Sequence, residues 1–358
     1  MKNYVIMAKM MIIFVAVLII AFCSIYRFEI RAMDKTAGSS TFVVEKGDTW
    51  YSIGNKLYDG KFVRSYKFYK LYIKLFRPKN VEAGSYIISA SMTLPEIVDT
   101  LEAGTKTNPN NIKITFKEGL NMRGIAKVID ENTDNSYDDV MNLLADTEYI
   151  DSLINEYWFL AEEIKNSELY YPLEGYLFPN TYEVDKTGDV KSIFKVMLDQ
   201  MDKELSKYKE DITKSKYSIH EILTLASIIE LEAGNISDRS SVAGVFYNRL
   251  ENRWTLGSDV TTYYALKIDD PTYVLNASEL ATCSRYNTRG NCVVGLPVGP
   301  IDNPGAESIK AAMEPAETDM FYFVADCDGK TYLAKTEYQH NRNIANLKKE
   351  GKWSCFTN

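Results

Sequence analysis

The sequence predicts an α+β protein with three parts: a hydrophobic N-terminal anchor, a small α+β module and a larger, mixed α+β domain. A charge-free apolar run lies near the N-terminus, and short β-branched or aromatic segments alternate with helix-like segments after it. The composition is 46% hydrophobic and 25% charged, which is ordinary for a globular protein of two or more domains.

The first predicted element is the charge-free run Met10–Tyr26, which is long enough to cross a bilayer core of roughly 30 Å. Lys2 and Lys9 precede it, so the positive-inside rule predicts that residues 1–9 are cytoplasmic and that the chain after Arg27 is extracytoplasmic. A cleaved signal peptide is the alternative, but no A-x-A cleavage site precedes the polar sequence. We therefore predict a single-pass anchor in the cell membrane.

A small module follows a short tether of small and polar residues at 27–41. Residues 42–105 contain FVVEKGDTW, FYKLYIKLF, VEAGSYIIS and LPEIVDTLEAG, which predict the order strand, helix, helix, strand, helix.

Residues 106–358 are predicted to form the larger domain, with its core at 215–358. NIKITFKEGLNMRGIAKVID predicts strand, turn and helix, and FYFVADCDGKTYLAK predicts a hairpin. The Pro- and aromatic-rich segment 170–184 is predicted to be an ordered loop or edge, either a structural plug or the wall of a sugar-binding groove. Residues 286–309 are rich in Gly, Pro and Asn and are predicted to be irregular.

The best-defined predicted helix begins at the capping box Ser218–Glu221 and ends before Gly234, which is expected at the C′ position. These signals predict a helix over 219–233. Apolar residues occur nearly all round it, so the helix is expected to be buried in a core.

Glu230 and Glu232 lie in the last turn of this helix. A buried carboxyl at a helix C-terminus is expected to have a raised pKa, which is a property of a general acid. The two side chains fall on opposite edges of the apolar stripe, so only one of them is expected to face a given pocket. Solvated surface carboxylates are the alternative interpretation.

Composition narrows the function classes. A net charge of −8 argues against nucleic acid as the partner, and two histidines without a Cys-x-x-Cys motif predict no metal and no cofactor. On the predicted topology, Cys283, Cys292, Cys327 and Cys355 are extracytoplasmic, where disulfides persist. Cys283 and Cys292 close a short loop and are candidates for a bridge, with free buried thiols as the alternative.

The order and spacing of these segments resemble the endolytic murein transglycosylases of the YceG-like, or MltG, family. The resemblance rests on EKGDTW, EAGSYIIS, EGYLFPNTYE, LASIIELE, VFYNRL, YNT, GLPVGPIDNPG, SIKAA and YFVAD. It implies a LysM-like module at 42–105 and a YceG-like catalytic domain at 106–358. It also implies a lyase that cuts the MurNAc-β-1,4-GlcNAc bond within peptidoglycan strands and leaves 1,6-anhydroMurNAc ends during cell wall assembly, beside penicillin-binding proteins.

The resemblance further implies that Glu230, in the A-S-I-I-E element, is the catalytic glutamate, and that Glu232 has a supporting role. Glu230 would protonate the glycosidic oxygen and then act as base towards the C6 hydroxyl of the same muramic residue. Further positions that match family motifs are expected to bind substrate or to hold the walls of its groove: Glu232, Asn248, Ser258, Asp259, Thr261, Tyr286, Asn287, Thr288 and Pro297.

The chain departs from the family pattern in one loop, where Arg285 and Arg289 flank the Y-N-T motif and Val298 replaces a proline. The two arginines suggest contacts with carboxylates of the peptide stems. Two alternatives to the lyase are kept. One is a non-catalytic peptidoglycan-binding scaffold, and the other is a hydrolytic muramidase that uses Glu232, Asp259 or Glu174 as a second carboxylate.

Overall fold

The computed structural model describes residues 2–35, 37–104, 110–270 and 272–353. The chain divides into two compact units, residues 1–111 and 112–358. The finer predicted division into an anchor, a tether, a module and a catalytic domain stays a prediction.

The first unit begins with a long helix and continues as a small α+β module. Its elements are α1 (Lys2–Glu29), β1 (Ser39–Val44), α2 (Trp50–Asp59), α3 (Tyr66–Phe76), β2 (Gly84–Ser89) and α4 (Leu94–Ala103). The predicted order strand, helix, helix, strand, helix is therefore confirmed. Among the residues that the structure describes, no helix combines the length and the apolar character that crossing a membrane requires.

Local hydrogen bonds explain where the helices of this module begin. Thr49 and Thr93 each form a capping box with the third residue of the helix that follows, and Ser65 caps α3. β1 and β2 pair antiparallel, and their inner faces cover a core that includes the fully buried Tyr69 and Tyr86. The module thus has a hydrophobic core of its own.

The second unit is mostly helical. Its elements are β3 (Asn111–Thr115), α5 (Met122–Asn132), α6 (Tyr137–Ala145), α7 (Thr147–Glu156), β4 (Thr181–Asp185), α8 (Val190–Ser206), α9 (Lys209–Lys214), α10 (Ile219–Glu232), α11 (Arg239–Glu251), α12 (Asp259–Ala265), α13 (Ala277–Leu280), α14 (Ala306–Met313), β5 (Tyr322–Ala325), β6 (Thr331–Ala334) and α15 (Glu337–Lys349). β3 is a neighbour of β4, and β5 pairs antiparallel with β6. The mixed α+β class and the predicted hairpin are confirmed.

Helix α10 lies at the centre of this unit, where it packs most extensively against α14 and also against α11. The predicted capping box between Ser218 and Glu221 is present, and the helix is buried without a break from Ile222 to Ile229. The helix ends at Glu232 with Ala233 as its C-cap, within one residue of the predicted end. Gly234 is not a left-handed C′ residue; instead it approaches the turn of the β5–β6 hairpin, where an added Cβ would lie 2.9 Å from the Cα of Gly329.

The middle of the segment 170–184 is a structural plug, because residues 173–179 are buried. Tyr176 and Phe178 are buried in the main hydrophobic core, and the carboxyl group of Glu174 is buried with them. The rest of the segment leads into β4. The interpretation as a sugar-binding wall stays a prediction for the half-buried Tyr170 and Tyr171 at the start of the segment.

The predicted irregular stretch is confirmed between α13 and α14, where turns and bends replace regular elements. Cys283 and Cys292 form a disulfide within it, and both residues are exposed, so the alternative of free buried thiols is wrong. Cys355 lies outside the described residues.

Candidate active site

The two glutamates in the last turn of α10 face different surroundings. Glu232 borders a cavity of about 590 Å³, which we call the acid groove. The groove has aromatic surface from Trp254, Tyr322 and Phe323. It is also lined by the guanidinium group of Arg249 and the imidazole of His340. Further lining residues are Phe246, Thr255, Leu256, Gly257, Ser258, Asp259, Arg289, Glu337, Asn341 and Ile344.

In the part of the chain that the structure describes, the carboxyl group of Glu232 has one close hydrogen-bond donor, the hydroxyl of Ser258, with 2.5 Å between Ser258 Oγ and Glu232 Oε1. Burial raises the pKa of Glu232, and the charge of nearby Asp259 acts in the same direction. The Ser258 hydrogen bond and the charges of Arg249 and Arg289 partly oppose this rise. A carboxyl in these surroundings holds its proton at higher pH than an exposed one, as a general acid requires.

Ser258 is held in place by a buried network of hydroxyl groups. Its backbone N–H donates to Thr288 Oγ1 at 3.2 Å, and Thr261 donates to the Ser258 carbonyl at 2.6 Å. Thr261 and Thr288 also bond to each other. Asn287 is fully buried beside them and accepts from Thr262. Four of the predicted substrate residues thus form the wall that supports Glu232.

Asp259 marks the edge at which the acid groove meets a second cavity. This neighbouring cavity has a volume of about 860 Å³ and is also lined by Leu231, Val260, Tyr263 and Tyr264. Because Asp259 lines both cavities, they are adjacent and together offer an extended, partly apolar surface beside Glu232. An elongated ligand fits this shape better than a small one.

Glu230 lies in a different environment, in which both carboxyl oxygens accept hydrogen bonds. Arg239 Nη2 donates to Oε1 at 2.7 Å, and the backbone N–H of Gly305 donates to Oε2 at 3.0 Å. The side chains of Glu230 and Arg239 are 6% and 9% exposed. Glu230 is therefore buried, as expected, but it is paired, because the first turn of α11 brings an arginine to it.

Sequence reasoning missed two carboxyl groups near Glu230. Glu118 Oε2 lies 3.9 Å from Arg239 Nη2, and the pKa of Glu118 is raised by burial and by the charge of Glu230. Asp302 is fully buried, and neither of its oxygens has a hydrogen-bond partner within the described part of the chain. Burial and the charges of Glu230 and Glu174 raise the pKa of Asp302 well above its usual range.

No sequence signal identified these two groups as neighbours of Glu230. Glu118 belongs to the turn before α5, and Asp302 to the irregular segment before α14. A Cβ added to Gly305 would lie 2.0 Å from Glu118 Oε1, so these two remote segments meet directly. Only the tertiary fold brings them together.

Three other predicted residues lie away from Glu232. Asn248 donates to the carbonyls of Thr318 and Met320 and so fixes the chain before β5. Tyr286 is buried against Tyr264, with ring centroids 4.8 Å apart. Pro297 is buried in the irregular segment. These positions support the walls of the site and do not line either cavity.

Glu174, the remaining candidate for a second carboxylate, is fully enclosed. It accepts hydrogen bonds from the Met122 backbone N–H, the Tyr264 hydroxyl and the Asn303 amide. Burial raises its pKa to about 7. Because its oxygens are occupied within the core, Glu174 has no access to a ligand in the acid groove. Within the described ranges, no cluster of His, Cys, Asp and Glu side chains is arranged to hold a metal ion.

Comparison with known proteins finds relatives over most of the chain. The sequence profile of the YceG-like family matches residues 42–346. A Bacillus subtilis protein named endolytic murein transglycosylase is 34% identical over 301 residues, which cover 84% of this chain and 82% of that protein. A Streptococcus pneumoniae protein of the same name is 31% identical over 319 residues, which cover 85% of this chain and 58% of that protein. The crystal structure of a YceG-like protein from Listeria monocytogenes matches with a TM-score of 0.61 at 33% identity and covers 86% of this chain and 100% of that one.

Proposed function

Because the chain belongs to the YceG-like family, we propose that it is an endolytic murein transglycosylase. It cuts the MurNAc-β-1,4-GlcNAc bond within glycan strands of peptidoglycan and leaves 1,6-anhydroMurNAc ends. The observation that carries the proposal is the position of a carboxyl with a raised pKa, Glu232, at the wall of an extended groove edged by aromatic side chains. Aromatic faces such as that of the half-exposed Trp254 provide stacking surfaces for sugar rings.

In the proposed reaction, protonated Glu232 donates its proton to the glycosidic oxygen as the bond to the muramic C1 breaks. The resulting carboxylate then accepts the proton of the C6 hydroxyl, and the C6 oxygen bonds to C1 of the same ring. The same carboxyl group thus donates one proton and takes one back, and no water is consumed. The nucleophile is already tethered to the reacting ring, so the protein needs no second carboxylate to activate it.

Glu230 stays the alternative for this role, as the family resemblance predicts. Two contacts favour Glu232 over it. The oxygens of Glu230 both accept hydrogen bonds, and one of these bonds comes from a buried arginine. For Glu230 to act as an acid, this ion pair would have to open first. Within the described residues, Glu232 accepts from one neutral donor, Ser258, and it borders the groove directly.

A hydrolytic muramidase is the second candidate function, and Asp259 is the observation that favours it. Asp259 lines the same groove as Glu232, and its charge contributes to the raised pKa of Glu232. A carboxylate in that position could activate a water molecule, as in glycosidases that use two carboxyl groups. Asp259 is, however, already paired with Arg289, at 3.2 Å between Oδ1 and Nε.

We extend the proposal to the first unit and to location. The charge-free run Met10–Tyr26 and the lysines before it support a single-pass anchor with the catalytic unit outside the cell membrane. The disulfide between Cys283 and Cys292 agrees with an oxidising compartment. Membrane fractionation tests the anchor, since a protein recovered in the soluble fraction without detergent contradicts it.

The strand, helix, helix, strand order of the first unit supports a LysM-like module that contacts glycan. We propose peptidoglycan as its ligand, with penicillin-binding proteins as partners of the whole chain. Pull-down of the full-length protein on purified sacculi, with and without an excess of chitin oligosaccharides, tests the module. Competition by the oligosaccharides supports glycan binding, and an unchanged yield contradicts it.

Product analysis tests the reaction itself. The full-length protein in detergent is incubated with uncross-linked glycan strands, and the products are identified by mass spectrometry. Products lighter than hydrolytic ends by one water molecule are expected from the lyase, and reducing ends would indicate the muramidase. Binding without cleavage would favour the scaffold. Glu232→Gln is expected to be inactive and Glu230→Gln, if folded, to be active; the reverse result would assign the chemistry to Glu230.

A further inference from the structure

The disulfide loop, which runs from Cys283 to Cys292, carries an arginine into the acid groove. The buried side chain of Asn287 stabilises the loop, because its amide donates to the backbone carbonyls of Leu280 and Thr282. The Asn287 Oδ1 in turn accepts the backbone N–H of Arg289 at 2.9 Å. The backbone at Arg289 is therefore fixed by a buried side chain within a covalently closed loop.

Arg289 also lines a further cavity, which we call the side cavity. This cavity has a volume of about 300 Å³ and is lined by Ala277, Leu280, Ala281, Arg289, Gly290, Asn291 and Cys292. Within the described residues, Arg289 is the one charged side chain that lines it. A branch of a ligand in the acid groove would therefore meet a single positive charge as it enters the side cavity.

The guanidinium group of Arg289 is only partly engaged. Nη1 donates to the Gly257 carbonyl at 2.9 Å, and Nε pairs with Asp259. No hydrogen bond from Nη2 occurs within the described part of the chain. The Arg289 and Asp259 side chains are 49% and 53% exposed, and an ion pair this exposed contributes little to stability, so a ligand carboxylate can replace or share it.

A second arginine lies close by and adds to the positive charge. A Cβ on Gly257 would lie 3.4 Å from Nη1 of Arg249 and 4.0 Å from Nη1 of Arg289. The two guanidinium groups therefore approach the same point of the backbone. An anion between them and the solvent would reduce their mutual repulsion.

We propose that Arg289 and the side cavity form a binding site for the peptide stem of the glycan, in which Arg289 binds a stem carboxylate. The inference rests on the proposed function, since the stem branches from the muramic residue that reacts at Glu232. The proposal assigns stem binding to Arg289 and not to Arg285, the other arginine of the loop. Arg285 is paired with Glu168 at 3.1 Å and lines neither the acid groove nor the side cavity.

The experiment compares three substrates: glycan strands with free stems, strands with amidated stem carboxyls and strands stripped of stems by an amidase. The full-length protein is assayed for kcat/KM on each. The wild type is expected to prefer free stems, and Arg289→Gln to lower the ratio of free-stem to stripped-strand kcat/KM by about tenfold to a hundredfold, the usual effect of one charge-assisted hydrogen bond. Arg285→Gln, a substitution of the same kind in the same loop, is the matched control and should keep the wild-type ratio.

A ratio that is equal for wild type and Arg289→Gln overturns the proposal, as does a wild-type ratio near one. Arg289→Lys keeps the charge but lacks the planar guanidinium group, so its ratio of free-stem to stripped-strand kcat/KM should lie between those of the wild type and Arg289→Gln. Binding of the three strand types to Glu232→Gln, with and without Arg289→Gln, is measured in parallel. If binding depends on the stems but the wild type cleaves none of the strands, the result contradicts the proposed function and supports this site. If the wild type cleaves all strands without dependence on the stems, the result supports the proposed function and contradicts this site.

Discussion

Glu230 and Glu232 lie on the same turn of α10, separated by Leu231, yet they occupy opposite kinds of environment. Glu230 accepts from a buried arginine and a backbone N–H, in contact with the segments that carry Glu118 and Gly305. Glu232 accepts from one hydroxyl group and borders a groove. Both share the helix end, so the helix does not determine their roles. The neighbouring loops and helices do.

The largest expected effect distinguishes the two carboxyl groups by activity. Glu232→Gln removes the proton donor and should lower kcat by about 10²- to 10⁴-fold, whereas Glu230→Gln leaves the groove intact. Single-turnover cleavage of defined strands, with circular dichroism to verify folding, provides the measurement. A folded Glu230→Gln variant that is as inactive as Glu232→Gln would contradict the assignment of the proton donor to Glu232 alone.

The next effect concerns stability in the Glu230 environment. Arg239→Met leaves Glu230 buried without its charged partner and should lower the free energy of unfolding by roughly 3–5 kcal/mol. The double variant Glu230→Gln/Arg239→Met should recover a large part of this loss, because both charges of the buried pair are then removed together. Urea unfolding followed by fluorescence measures both. A double variant no more stable than Arg239→Met would show that the ion pair is not the cause.

A third prediction concerns the pH dependence of stability near Glu230. Because burial raises the folded-state pKa of Asp302, its protonated form stabilises the fold at low pH, and this contribution is lost as the pH rises. Asp302→Asn should therefore gain stability over the wild type by about 1.4 kcal/mol per pH unit while the carboxyl stays protonated. Unfolding is measured from about pH 5 to pH 8. A difference that does not grow with pH would contradict the assignment.

The smallest expected effect belongs to the Glu232 environment. The Ser258 hydroxyl bonds to Glu232 and lowers the pKa that burial raises. Ser258→Ala should raise this pKa further, so the alkaline limb of the pH–kcat profile should move to higher pH. The loss of kcat at the optimum should be only about two- to tenfold. An alkaline limb that stays in place would mean that another group controls it.

Elements defined by local signals could be predicted from the sequence. The start of α10 was correct because Ser218 and Glu221 form the capping box within one turn. The β5–β6 hairpin and the order of elements in the first unit were correct for similar reasons, since turn residues and local periodicity determine them. The end of α10 was less predictable, because Gly234 serves a contact with a distant hairpin instead of a helix cap.

The division of roles between the two glutamates could not be predicted in the same way. Periodicity showed that they face different directions, but not what lies in each direction. Arg239 comes from α11, Gly305 from the loop before α14 and Ser258 from the turn before α12. These neighbours are far apart in sequence, so their combined charge around each carboxyl exists only in the folded chain.

The contact between Gly234 and Gly329 restricts how the protein can be engineered. Gly329 has a φ of +77°, and a side chain at either position would push the hairpin turn away from the end of α10. The last turn of that helix carries both glutamates. A fluorescent label or epitope tag inserted into the tip of this hairpin, an otherwise inviting surface site, would therefore disturb the acid groove.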